Sequence, residues 1–258
     1  MGKVKITPKR TKIPQKIWYI LKPFLVYMLV KTFAMLFFAF AIPMLPIRGI
    51  AVWIESVQHP LSAVINAIAS LIAVYFLLED FLKEVAVSGE VDIDAGILKQ
   101  FLQFCSKGFL GYGKKERGKL ALCAFWGMVS AFLLNGIVSF YMKLFETFSE
   151  KYQEVETIQY SVPLWLGILL YGVIAPLVEE IVFRGILYNR MRRFFGIPCC
   201  ALLSALLFGL FHGNLPQFVY GTCMGILIAL SYEKVKCFGA PFFFHMAANL
   251  SVFLYAFV

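Results

Sequence analysis

The chain has 258 residues, of which 60% are hydrophobic and only 15% are charged, and its formal net charge is +9. So little polar surface excludes a water-soluble globule and indicates an integral membrane protein. Basic loops beside anionic lipid headgroups account for the positive charge, so we expect the lipid bilayer as a partner and no nucleic acid.

Apolar stretches recur along the chain, separated by short polar segments. In chain order they cover residues 23–45, 61–78, 120–142, 162–182, 198–212, 215–232 and 239–257. A helix needs about 20 apolar residues to cross a bilayer, and helices satisfy their own backbone hydrogen bonds there. The pattern therefore predicts an all-α, polytopic bundle with about seven transmembrane helices, folded as a single membrane domain over residues 1–258.

Lysine and arginine indicate how this bundle is oriented, because they accumulate in cytoplasmic loops. With the N-terminus inside, all but four of the 24 basic residues fall in inner segments. Arg48, Lys143 and Lys151 fall outside, and Lys31 lies within the first apolar stretch. We therefore expect a multi-pass protein of the cell membrane with its N-terminus inside and its C-terminus outside.

Two longer polar connections interrupt the helices. The inner one, residues 79–119, contains the amphipathic patch GILKQFLQF, which suits either the membrane surface or a solvated linker. The outer one, residues 143–161, is charged and suits a short helix. The six cysteines have no C-x-x-C spacing, so neither a zinc site nor a disulfide framework is expected from them.

Two adjacent carboxylates, Glu179 and Glu180, lie within an apolar stretch, where ionisable groups are costly and usually functional. Neighbours on a helix point about 100° apart, so we expect the two to have different roles. Arg184 follows Glu180 by four residues, which predicts a structural ion pair. Glu179 has no local cation and is the candidate proton acceptor. The simpler alternative is that both glutamates pair with arginines at a helix end.

The histidines give the carboxylates possible partners. Glu179 and His212 are equally far from the turn RRFFGIP, so an antiparallel hairpin places them at one depth. After the turn KCFGAP, His245 and Asn249 share one face of the last helix. A helix–helix hydrogen bond is the alternative role for each histidine. His59, in an outer loop, is not expected to be catalytic.

Glu179 and His245 lie at different distances from their turns along the chain. Their depths agree only if the hairpin that contains Glu179 and His212 projects beyond the membrane. In that arrangement Arg190, Arg192 and Arg193 lie in water or among headgroups, and the site opens toward the cytoplasmic half.

This set of side chains suits hydrolysis in two ways. A carboxylate and an imidazole activate water, while a second imidazole and a carboxamide stabilise the oxyanion. Alternatively, Glu179, His212 and His245 hold a divalent metal such as zinc with an open position. The residues alone leave both mechanisms open, so the cofactor is either one such metal or none.

Three motifs carry a resemblance to a known family. EEIVFR (179–184), FGLFH (208–212) and HMAAN (245–249) resemble the EExxxR, FxxxH and HxxxN motifs of the CPBP family of intramembrane proteases, also called the CAAX protease and bacteriocin-processing or Abi family. They occur in family order, so the catalytic core is expected over residues 163–258. Phe208 belongs to the second motif and is expected to give structural support, together with Glu180 and Arg184.

The resemblance implies an endopeptidase that cleaves a membrane-associated or prenylated, CAAX-type protein or peptide. The residues matching Glu179 and His212 would activate water, and those matching His245 and Asn249 would stabilise the oxyanion. Members are described both as metalloproteases and as metal-independent glutamate proteases, and bacterial relatives are linked to bacteriocin maturation and self-immunity. The alternatives are a non-enzymatic immunity or scaffolding protein that binds a peptide or bacteriocin and, third, a transporter.

Overall fold

A computed structural model describes residues 13–86, 96–104, 114–144, 157 and 159–257. Its elements are all helices: α1 (Ile13–Ala41), α2 (Ile50–Ser56), α3 (Gln58–Ala86), α4 (Ile97–Gln103), α5 (Lys114–Leu144), α6 (Leu164–Met191), α7 (Ile197–Phe211), α8 (Leu215–Val235) and α9 (Gly239–Tyr255). The all-α polytopic bundle expected from the sequence is confirmed.

All seven apolar stretches are helical, but they differ in length. Among the described residues, α1, α3, α5, α6 and α8 are long and apolar enough to cross a membrane. Helices α7 and α9 have 15 and 17 residues. At 1.5 Å per residue they extend about 22 and 26 Å, less than the roughly 30 Å of the hydrocarbon core. Helix α9 carries His245, and His212 directly follows the last residue of α7.

Helix α6 is the central element of the bundle. In its most apolar window 56% of the residues are buried, compared with 11% in α1 and in α5. Two π-helical stretches, Ile168–Ile174 and Ile181–Tyr188, flank the α-helical turns Ala175–Glu180, which carry both glutamates. Such π-helical turns are rare in proteins, and where they occur they are often found at functional sites.

The other helices pack around α6 in pairs. Helix α1 pairs with α3, α5 with α9, and α7 with α8. Large apolar side chains on α1 and α5 remain exposed, as expected where lipid replaces water; they include Phe33, Phe37, Phe40, Leu133 and Phe140. A glycine brings α5 close to α9, because a Cβ atom at Gly127 would lie 2.1 Å from the carbonyl oxygen of Phe244.

The turn between α6 and α7 differs from its expected surroundings. Arg190 does not lie in water or among headgroups: it is 5% exposed and pairs with Asp80 and Glu84, each at 3.0 Å. Arg192 and Arg193 likewise pair with Glu233 and Glu84. The expectation is therefore wrong for Arg190, which acidic residues at the end of α3 neutralise within the protein, while Arg192 and Arg193 remain partly exposed.

The amphipathic patch of the inner connection is anchored on the bundle. It forms α4, and the following Phe104 is 4% exposed. The ring of Phe104 lies 5.0 Å from that of Phe81 and 5.4 Å from that of Phe238. A plain solvated linker is therefore excluded for this segment. Most of the outer connection, residues 145–156 and 158, and Cys105 lie outside the described residues.

Candidate active site

His245 lies between the two carboxylates of α6. Its Nδ1 atom is 2.8 Å from Oε1 of Glu180, and its Nε2 atom is 3.7 Å from Oε2 of Glu179. The two carboxylates therefore contact the same ring, while only Glu180 also pairs with Arg184. An imidazole has nitrogen atoms on two edges, so one ring can contact side chains that point in different directions.

Glu180 forms the ion pair that its spacing from Arg184 predicts. Nη1 of Arg184 donates to Oε1 of Glu180 at 2.9 Å, and both side chains are fully buried. Nη2 of Arg184 donates to the carbonyl oxygen of Gly225 at 2.9 Å, and the guanidinium lies over the ring of Phe208. These contacts tie α6 to α7 and α8 behind the site.

No role was assigned to Gly225 from the sequence. The only signal in the sequence was that glycine, the smallest residue, occupies this position in α8. A Cβ atom there would lie 3.0 Å from Ala205 and 3.3 Å from Nη2 of Arg184. A side chain at this position would therefore press on the arginine that holds Glu180.

His212 lies at the end of α7, just before Gly213, whose φ of 76° turns the chain toward α8. Its Nδ1 atom is 2.9 Å from the carbonyl oxygen of Phe208. A carbonyl only accepts, so Nδ1 carries the proton in this hydrogen bond. The neutral ring then has its lone pair on Nε2, where it can accept a proton.

One cavity collects the four residues predicted to be catalytic. Glu179, His212, His245 and Asn249 all line a space of about 370 Å³, within the range of about 300–1,000 Å³ that is usual for ligand sites. Among the described residues, no nitrogen of His212 lies within ion-pair distance of Glu179. The hairpin therefore places these two on one cavity without direct contact, and His245 is the histidine beside Glu179.

Two further contacts orient the walls of this cavity. One amide hydrogen of Asn249 is used in a 3.1 Å bond to the carbonyl oxygen of Tyr171, which leaves the second available. The ring of Phe208 lies edge-on to both His212 and His245, with ring centroids 5.1 and 5.5 Å away. Phe208 therefore holds the two histidines apart.

A contact between α6 and α8 explains how the depths of the glutamates and His245 agree. The hydroxyl of Tyr188 donates to Glu233 at 2.9 Å, which places this part of α6 level with the end of α8. Glu180 directly precedes the eight-residue π-helical stretch that ends at Tyr188, and His245 lies six residues after Gly239, about 9 Å along α9. The α6–α7 turn extends past this level, so the glutamates and His245 meet.

The two histidines share one feature with metal-bound histidines. Both histidines engage Nδ1 and leave Nε2 for the cavity, as metal-bound histidines commonly do. However, no three His, Cys, Asp or Glu side chains in the described part of the chain are arranged to hold a metal ion. Glu179, His212 and His245 therefore do not converge as a metal centre in this arrangement.

Lys31 of α1 and Asn66 of α3 also line the cavity, and neither was assigned a role from the sequence. For Lys31 a signal was present: a charged residue inside an apolar stretch is costly and usually functional. For Asn66 the sequence offered no comparable signal, because a single amide in a membrane helix is common.

Comparisons with known proteins agree with the motifs. Residues 161–251 match the family described as Type II CAAX prenyl endopeptidase Rce1-like. The chain is 28% identical over 161 residues to a Bacillus subtilis (strain 168) protein named "Putative membrane peptidase YdiL". The matched region covers 58% of this chain and 63% of that relative. The chain thus spans less than two thirds of the relative's length, and no solved structure matches. These matches agree with the resemblance of the three motifs to the CPBP family of intramembrane proteases, and they show that the C-terminal part of the chain is similar to it.

Proposed function

We propose that the protein is an intramembrane endopeptidase that hydrolyses a peptide bond in a membrane-associated or prenylated, CAAX-type protein or peptide. The observation that carries this proposal is the single cavity lined by Glu179, His212, His245 and Asn249. The core over residues 163–258 supplies these four groups, and the bilayer delivers the substrate.

In the first step, a water molecule in the cavity is held by the carboxylate of Glu179 and the free Nε2 atom of His212. Glu179 accepts a proton from this water as its oxygen attacks the carbonyl carbon of the substrate. His212 suits the positioning role, because the Phe208 carbonyl fixes its ring and directs the lone pair away from the helix.

The attack moves negative charge to the carbonyl oxygen of the substrate. The remaining amide hydrogen of Asn249 and the Nε2–H group of His245, when that nitrogen carries a proton, donate to this oxyanion. Asn249 is held by Tyr171 and His245 by Glu180, so the donors need little reorganisation. In the second step the C–N bond breaks, and the proton on Glu179 passes to the leaving amine.

The direction of opening depends on the orientation of the bundle. With the N-terminus inside, the α6–α7 turn lies at the basic, cytoplasmic end. The residues that line the cavity lie toward the opposite helix ends, among them Tyr160, His212 and Gln217, so the turn itself does not support a cytoplasmic mouth.

The test is cleavage by purified protein in detergent. Wild type and Glu179→Gln are compared on a panel of membrane-anchored and prenylated peptides, with Glu79→Gln, an exposed glutamate on α3, as the control. We expect wild type and the control to cleave and Glu179→Gln to be inactive with unchanged thermal unfolding. Retained activity in Glu179→Gln would remove the role given to this residue. No cleavage by wild type would favour a peptide-binding immunity or scaffolding protein.

A further inference from the structure

Lys31 is a charged residue deep in the membrane part of α1. It lies 18 residues after Ile13 and ten before Ala41, about 27 and 15 Å along the helix. It is the one charged residue of the stretch 23–45. Burying an ammonium there is costly, and such residues usually pair with an anion or mark a functional site.

The described residues offer Lys31 no ion pair. Its ammonium lies over two aromatic rings, 4.8 Å from the centroid of Phe211 and 5.8 Å from that of Tyr27. The charge of Glu179, which lines the same cavity, acts on Lys31, but its oxygens do not come within ion-pair distance of the ammonium among the described contacts, and its Oε2 atom lies beside His245. Aromatic faces attract a cation but do not supply a negative charge. The ammonium is therefore left with its hydrogens available to the cavity.

A second donor accompanies Lys31. Asn66 of α3 lines the main cavity and also a smaller one of about 30 Å³ that shares Lys31, Tyr171 and Glu179 with it. Among the described contacts, none engages the side-chain amide of Asn66. An ammonium and an amide from neighbouring helices thus reach the same space, at positions outside residues 161–251, which match the family.

We propose that Lys31 and Asn66 form a carboxylate-binding subsite of this cavity and select substrates with an anionic group near the cleaved bond. This rests on the proposed function, because it takes the cavity to be the peptide site. Carboxylate oxygens accept from both donor types, and charge-assisted hydrogen bonds are strong in a low-dielectric site. The carboxylate comes from either the C-terminus of the substrate or an acidic side chain.

Two pairs of peptides separate these sources. One pair differs only in a free C-terminal carboxylate or its amide, and the other only in an internal Glu or Gln. Each is tested on wild type, Lys31→Met, which keeps length without charge, and Lys31→Arg, which keeps charge. Asn66→Leu removes the second donor. Lys22→Met is the matched control, because Lys22 is an exposed cation on the same helix.

In one of the two pairs, we expect the KM of wild type for the carboxylate peptide to be lower than that for its neutral partner by about tenfold or more. The pair that shows this difference identifies whether the C-terminus or an acidic side chain supplies the carboxylate. Lys31→Met should lose this preference, so its KM values for the two members of that pair should be equal. Lys31→Arg should keep most of the preference, Asn66→Leu should weaken it, and Lys22→Met should match wild type. A preference that survives in Lys31→Met, or equal KM values within both pairs in wild type, would overturn the subsite.

Failure of the proposed function is detected separately. If wild type cleaves no peptide, fluorescence anisotropy of the same labelled peptides measures binding in detergent. Tighter binding of a carboxylate member, lost in Lys31→Met, would still support the subsite. Equal binding of both members would reject it. Thermal unfolding checks each variant, and Asn66→Leu and Lys31→Arg carry the test if Lys31→Met does not fold.

Discussion

His245 and Glu180 are 65 residues apart in the chain, yet Nδ1 of His245 lies 2.8 Å from Oε1 of Glu180 inside the bundle. The same oxygen accepts from Arg184 at 2.9 Å. Glu180 therefore connects Arg184, which supports the fold, to His245, which belongs to the proposed site. Its second oxygen, Oε2, has no hydrogen-bond partner among the described residues. A change at Glu180 should consequently affect both folding and activity.

Replacing Glu180 with alanine strands Arg184 as a buried, unpaired cation. We expect the free energy of unfolding of Glu180→Ala to fall by about 3–5 kcal/mol. The double variant Glu180→Ala/Arg184→Met should lose less than the sum of the single changes, because it removes both charges. Denaturant unfolding in detergent measures these values. A Glu180→Ala protein that is stable but inactive would instead make Glu180 the catalytic carboxylate.

Asn249 is proposed to donate to the oxyanion. Asn249→Leu should lower kcat by about 10²–10³-fold with little effect on KM, since the bond forms only in the transition state. Ser251→Ala is the control, because that hydroxyl bonds the carbonyl of Ala248 on the same helix. Steady-state kinetics of both variants decides. Equal, small effects from the two would exclude Asn249 from the oxyanion site.

Glu84 anchors the α6–α7 turn. It accepts from Tyr19 and Arg190 at 3.0 Å and also pairs with Arg193. Because these charges are largely buried, Glu84→Gln should lower the free energy of unfolding by about 2–4 kcal/mol. The exposed pair of Glu79 and Lys83 gives the control, and Glu79→Gln should change stability by less than about 0.5 kcal/mol. Similar values for Glu84→Gln and Glu79→Gln would refute this anchoring role.

Gly127 sets the distance between α5 and α9. In Gly127→Ala the new methyl would collide with the backbone of Phe244, beside His245, so we expect a loss of about 1–3 kcal/mol and reduced activity. Gly136, on the same helix, has open space around it. Gly136→Ala should therefore leave activity unchanged and raise stability by up to about 1 kcal/mol. Thermal unfolding and cleavage rates test both, and an active, stable Gly127→Ala would argue against close α5–α9 contact.

Metal dependence is tested directly with a chelator. Because Glu179, His212 and His245 do not converge as ligands in the described structure, we expect cleavage to persist after chelation and dialysis. The metal content of the purified protein, measured by mass spectrometry, should show no stoichiometric zinc. Loss of activity that added zinc restores would show that the three side chains rearrange into a metal site.

The sequence alone determined the features that depend on local composition and spacing. Seven apolar stretches became helices, because a bilayer accepts only segments that satisfy their own backbone hydrogen bonds. The contact between Glu180 and Arg184 followed from a four-residue spacing on one helix. The three motifs also indicated the similarity to the CPBP family, with which the comparisons agree, without any knowledge of packing.

Only the tertiary structure decided which side chains from distant helices meet. It placed His245 between Glu179 and Glu180, buried Arg190 against α3, and brought Lys31 and Asn66 to the cavity. These contacts depend on the rotation and depth of each helix relative to its neighbours. Small residues such as Gly127 and charge pairs at the helix ends set that rotation and depth, and the periodicity of a single segment contains no information about them.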